Sequence, residues 1–180
     1  MIEDAAPLGA WTLSVLAIPE TGLGTRREAS GAELGQLARA LDIPSCERLA
    51  AHYVVHAIGG GRFRVAGHVS AALTQRCVVS LDPLPATIEE QFDEEFWPAE
   101  AIEPEIGEHE HEALAHVEPE PIVDGRIEIG RLVYETVAAA LPPYPRKPGV
   151  ELDWSGEASS GPEHARANPF AALAKLKGDS

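Results

Sequence analysis

The chain has 180 residues, 44% of them hydrophobic, which suffices for one domain with a real core and excludes wholesale disorder. No run of apolar residues reaches the length of a membrane-spanning helix. The formal charge is −15, but of the 29 acidic residues 15 lie between Asp82 and Asp124, where there is no Lys or Arg, leaving 14 acids to face all 14 bases elsewhere. A uniformly acidic protein would repel nucleic acid, whereas a neutral body with one acidic segment can present a local basic face.

Glu3 and Asp4 stand where a secretory leader needs bases, and two cysteines, Cys46 and Cys77, are too few for a disulfide framework. The expectation is therefore a cytoplasmic protein with free thiols. Trp11 to Ile18, apolar and β-branched, reads as a strand ending at Pro19, and Gly24 to Glu28 as a second short one. Ser30 and Glu33 have the spacing of a capping box, and Leu34, Leu37, Ala38 and Leu41 follow at helical intervals, predicting a helix over 31–41 that Pro44 stops.

Tyr53 to Ile58 is strand-like, and three glycines at 59–61 make a turn. Phe63, Val65, Gly67, Val69, Ala71 and Leu73 then alternate with more polar residues, the period of a half-buried strand. Cys77, Val79 and Leu81 continue that phase and are expected on the core face. Ile88, Phe92 and Phe96 suit a further strand in which Glu90 and Glu94 face solvent or a polar edge. Residues 98–125, rich in Pro, Glu and His, read as an acidic irregular excursion. Ile129, Leu132, Val133, Val137, Ala140 and Leu141 form a helical stripe that predicts a helix over 130–141, ended by Pro142 and Pro143. A last helix over 169–177 has Asn168 as its N-cap and Pro169 in its first turn.

The chemistry-bearing clusters are weak. His109, His111 and His116 lie among glutamates without a scaffold that fixes three or four ligands, so no metal site is expected. Cys77 with His52, His56 or His68 is the least improbable basis for a thiol enzyme, but its apolar phase suits a buried structural thiol better. The triple glycine is no phosphate loop, because no Lys-Ser/Thr follows and a strand stands where a helix should begin. For nucleic acid the bases are Arg62, Arg64, Arg76, Arg146, Lys147, Arg166, Lys175 and Lys177, and ordinary surface charge accounts for most such scattered sets.

Three stretches carry a resemblance: Thr74-Gln75-Arg76-Cys77 with its continuation to Pro83; Ile127 to Val133 running through a helix to Leu141-Pro142-Pro143-Tyr144-Pro145; and Asn168-Pro169-Phe170 to Lys177. In that order and spacing the chain, from about Val54 to Lys177, resembles the YceD family, associated with accumulation of large-subunit ribosomal RNA in bacteria and plastids. The resemblance implies a small non-enzymatic factor in ribosomal RNA processing or large-subunit assembly. Several members have Cys-x-x-Cys where this chain has Thr74 and Cys77, and another Cys where it reads Arg146-Lys147-Pro148-Gly149. One remaining thiolate cannot make a structural zinc site.

The reading is one α+β domain over 1–180, an antiparallel sheet of five or six strands flanked by three short helices. No catalytic residue, metal or cofactor is expected, and no small-molecule substrate or membrane. The candidate partner-binding residues are Arg62, Arg64, Arg76, Pro142, Tyr144, Asn168, Phe170, Lys175 and Lys177. The expected partner is ribosomal RNA, a large-subunit ribosomal protein or an assembly factor, with a direct RNA-binding module as the alternative.

Overall fold

Three long strands form the centre of the molecule: β3 (Ser45–Gly59), β4 (Arg62–Arg76) and β5 (Pro83–Pro98). The computed structural model describes residues 7–102 and 119–151. The chain divides into a compact unit, Met1–Val150, and a second, Glu151–Ser180, of which only Glu151 is described. Gly59, Gly60 and Gly61 all have positive φ, the conformation that turns β3 back into β4 and that side chains disfavour. The alternation read from the sequence holds along β4, where Val65, Val69, Ala71 and Leu73 are buried. They meet Leu49, Ala51, Tyr53 and Val55 of β3 and Ile88, Phe92 and Phe96 of β5 in one core. Gly67 shares that phase because a Cβ there would lie 2.3 Å from the His52 carbonyl oxygen and 2.7 Å from the Tyr53 Cβ.

The remaining elements are β1 (Leu13–Ser14), β2 (Leu23–Glu28), α1 (Gly31–Ala40), β6 (Glu120–Ile122), β7 (Arg126–Ile127) and α2 (Ile129–Ala140). The capping box forms as expected: Ser30 accepts from the Glu33 amide, and Glu33 accepts from the Ser30 amide at 2.8 Å. The same Glu33 carboxylate group accepts from Trp11 Nε1 at 2.8 Å, which pins the N-terminal segment over α1. Both helices cover the core face of the sheet, α1 through Leu37 and Ala38, α2 through Ile129, Leu132, Val133 and Val137. At Gly130 the helix meets that N-terminal segment so closely that a Cβ would lie 2.1 Å from the Leu8 carbonyl oxygen.

The structure corrects the sequence reading in three places, and one expected element lies outside the described residues. The main sheet, in the order β2-β3-β4-β5-β6, is mixed, because β6 pairs with β5 in parallel, and β1 and β7 form a separate two-stranded sheet. A parallel return needs a connection of about a dozen residues or more, and the acid-rich stretch supplies that length. Its end is accordingly strand, not irregular chain. Trp11 to Ile18 is not one strand: only Leu13–Ser14 pairs, and Val15–Ala17 form a 3-10 turn with Leu16 fully in solvent. Among the described residues there are two helices, and the one expected over 169–177 lies outside them. Finally, β4 stops at Arg76. Leu81, expected on the core face, is 66% exposed with φ 63°, while Cys77 stays buried. The reason is a tight reversal in which the Leu81 amide donates to the Cys77 carbonyl and the Cys77 amide to that of Asp82.

Candidate functional site

The turn between β4 and β5 is not left alone. The chain leaving α2 at Leu141 continues as a strap through Pro142, Pro143, Tyr144 and Pro145, bending at Pro143 and Tyr144, and lies against this turn. Prolines suit the role, because their fixed φ restricts the course of the segment and they demand no backbone donor partner. Gln75, buried at the end of β4, donates its Nε2 to the Pro142 carbonyl at 3.1 Å, and the Val78 amide donates to the Pro145 carbonyl at 2.9 Å.

Cys77 is the centre of this assembly. Its sulfur accepts the amide of Ser80 at 3.5 Å, from the turn, and the amide of Lys147 at 3.4 Å, from the strap. Hydrogen bonds from Ser80, Lys147 and Val79 pull its pKa down to about 6. The sulfur is closed to solvent, which makes it an acceptor that joins two segments rather than an accessible nucleophile. Outside it, the Lys147 ammonium bridges to Asp82 at 3.2 Å, a pairing that lowers the Asp82 pKa, and Ser80 Oγ donates to the same carboxylate.

The side chains projecting from this scaffold are apolar, aromatic and basic. Tyr144 is 76% exposed, and Val78 and Leu81 are exposed beside it. Of the seven large hydrophobic residues exposed among the described residues, three therefore lie on this turn and strap. Arg76 and Arg146 are also exposed, and neither takes part in an ion pair among the described residues. Arg76, Pro142 and Tyr144, three of the candidates named from the sequence, are thus brought together across more than sixty residues of chain. Arg146, Lys147, Val78 and Leu81 belong with them. The sequence offered the two bases only as members of a scattered set; their adjacency to the phenol along the strap was the available signal.

Arg62 and Arg64 lie elsewhere, at the opposite end of β4, and are engaged. Arg64 makes a bidentate pair with Asp93, 2.7 Å and 2.6 Å, which lowers the Asp93 pKa. The Arg62 guanidinium sits 5.0 Å above the Trp97 ring. Asn168, Phe170, Lys175 and Lys177, and the histidines at 109, 111 and 116, lie outside the described residues. Among the described residues no group of His, Cys, Asp and Glu could hold a metal ion. No described helix is long and apolar enough to cross a membrane.

A second feature was not anticipated. On the sheet face away from the helices, a shallow groove of about 430 Å³ is lined by Arg26, His52, Val54, Ala66 and His68 among others. His52 and His68, directly opposite in the β3–β4 register, stack with ring centroids 5.3 Å apart. Arg26 is held by Glu28, so the groove has little free positive charge.

No curated protein and no solved structure gives a significant match to the chain. A family model does match, over residues 65–177, and that range takes in β4 from Val65 onward, the turn, α2 and the whole strap. The order of motifs that suggested the resemblance is thereby substantiated: the chain belongs to the YceD family, described as large ribosomal RNA subunit accumulation proteins.

Proposed function

We propose that the protein is a non-enzymatic factor that supports accumulation of large-subunit ribosomal RNA by binding a component of the maturing subunit, in the cytoplasm. The observation that carries this reading is the docking of the proline strap on the β4–β5 turn. Residues 75–82 and 142–147, widely separated within the family-matched range, converge on one surface whose apolar and basic side chains point outward. A chain with a formal charge of −15 carries a local basic patch there. Cys77, the strongest candidate for a catalytic nucleophile, is committed to holding the surface together.

The test is capture of the tagged, intact protein from native lysate at low and high salt, scoring large-subunit RNA and ribosomal proteins. Enrichment of large-subunit precursors that salt releases is the expected result, since contacts between exposed charges are screened. Absence of every large-subunit component at both salt concentrations would refute the proposal.

A further inference from the structure

We infer that the strap and turn form a binding site for single-stranded RNA, with a base stacked on Tyr144 and phosphates held by Arg76 and Arg146. This deepens the function proposed above by naming the partner's chemistry, and it rests on that reading for its context. Three features of the site converge on it.

The first is the aromatic platform. Tyr144 is three-quarters exposed, yet its backbone is fixed on both sides, by Gln75 at Pro142 and by Val78 at Pro145. A phenol ring held out in water on a rigid, proline-restrained strap loses little entropy when a base stacks on it. Leu81 and Val78 add exposed apolar surface on the turn to which the strap is bonded. Every nucleobase offers a π-face, so such a platform binds unpaired bases with little regard to sequence.

The second is the type and placement of the cations. Arg76 lies between Gln75 and Cys77, both of which bond to the strap, and Arg146 lies between Pro145 and Lys147, both of which bond to the turn. Both arginines are therefore carried by the joined turn and strap, are exposed, and have no acidic partner among the described residues. Guanidinium forks match phosphate oxygens bidentately. Lys147, already held by Asp82, contributes to the field more than to a contact.

The third is size. A stable protein partner would need about 800 Å² of buried surface on each side, with a contiguous apolar centre. The strap and turn present one aromatic ring, two aliphatic side chains and two arginines without an ion-pair partner among the described residues, a patch suited to a few nucleotides. Within the two segments themselves Asp82 is the one acid, and Lys147 pairs with it.

Fluorescence anisotropy with the intact protein and a labelled oligouridine of about twelve nucleotides tests the inference. Saturable binding that weakens with salt is expected. Tyr144→Ala should weaken it roughly 5- to 100-fold while Tyr144→Phe retains it, because stacking needs the ring and not the hydroxyl. Arg76→Glu with Arg146→Glu should abolish measurable binding, and the milder Arg76→Gln with Arg146→Gln should reduce the salt slope by about 1.4, two phosphates at roughly 0.7 each. Arg64→Gln should change neither. Failure of the wild-type protein to bind the oligonucleotide, or wild-type binding by Tyr144→Ala and the double glutamine variant, overturns the inference. The lysate capture separates the two proposals. If Tyr144→Ala loses large-subunit particles although the purified protein binds no RNA, the surface docks on a protein and only the RNA inference falls. If the oligonucleotide binds as predicted but no large-subunit component is captured, the site stands and the ribosomal function falls.

Discussion

The two ends of β4 carry the same kind of residue in opposite states. At the end next to the glycine turn, Arg62 and Arg64 are spent on neighbours: one lies over Trp97, the other is locked in a fork with Asp93. At the far end, Arg76 is exposed with no ion-pair partner among the described residues, as is Arg146 on the strap, which also delivers an exposed tyrosine. Basic residues along one strand are therefore not one patch. What separates them is the partner strand: β5 places Asp93 and Glu95 next to the first pair in register, but Leu84 and Pro83 opposite Gln75 and Arg76. Acidic sequence in β5 silences one end, and the prolines and leucine of its first residues leave the other available.

The comparison breaks most readily at Gln75. This side chain is buried, and its amide is what ties β4 to the Pro142 carbonyl. Gln75→Ala removes that bond and its packing, and should cost about 1–2 kcal/mol of unfolding free energy in a denaturant titration, with loosening of the strap visible as faster amide exchange at Val78 and Lys147. Arg64→Ala at the other end removes an exposed ion pair, and the midpoint should stay within experimental error. Equal losses from the two variants would mean that the strap contributes nothing particular to the turn.

Much of the framework behind this contrast was legible in the sequence, and the contrast itself was not. Ser30 and Glu33 act within one helical turn, and Val65 to Leu73 declare their face by period two, so local pattern suffices for both. The failures depend on distant chain. Leu81 continues the apolar alternation but is thrown outward because Cys77 to Asp82 closes a turn, and that turn is held by Lys147. β6 lies within a Pro-Glu-rich stretch with no periodicity; it is a strand because β5 offers an edge at Phe96 to Pro98. Trp11 was read as part of a strand, and Glu33, already read as half of a capping box, proves also to anchor its indole. Cys77 was correctly expected to be buried, but sequence gives no hint that two amides from different segments bond to its sulfur.

That sulfur sharpens the comparison through pH. An unpaired thiol in the unfolded chain titrates near its ordinary value of 9.0, whereas the folded value is about 6. A depressed acid contributes its stability fully above the unfolded pKa and loses it as pH falls through the folded one. The stability of the wild-type protein relative to Cys77→Ser should therefore climb between about pH 6 and pH 9 and be flat below. Asp93 at the other end, also depressed, by Arg64, changes stability only at acid pH, so the two ends separate on the pH axis. A flat difference between Cys77→Ser and wild type across the neutral range would show that the sulfur is not held as thiolate.

The smallest expected effect concerns Glu94, on the helix-facing side of β5 close to the silenced end. Its carboxyl is pushed up, first by burial and then by Asp93 and Glu135. A raised acid favours the folded state when protonated and opposes it when ionised, so at neutral pH the charge is a liability that deepens as pH rises through its titration. Glu94→Gln keeps the shape and removes the charge; a slight rise in Tm at neutral pH, vanishing at acid pH where the native glutamate is protonated, is the expected outcome. Because the group is only partly buried the gain is small, and its value lies in its location. β5 tolerates like-charge crowding at this end, where Arg64 already neutralises Asp93, while at the turn end its first residues carry no charge until Glu89. A drop in Tm for Glu94→Gln would mean that the carboxylate is satisfied by a contact that outweighs the repulsion, and the division of β5 into an acidic end that quenches arginines and a neutral end that leaves them free would need redrawing.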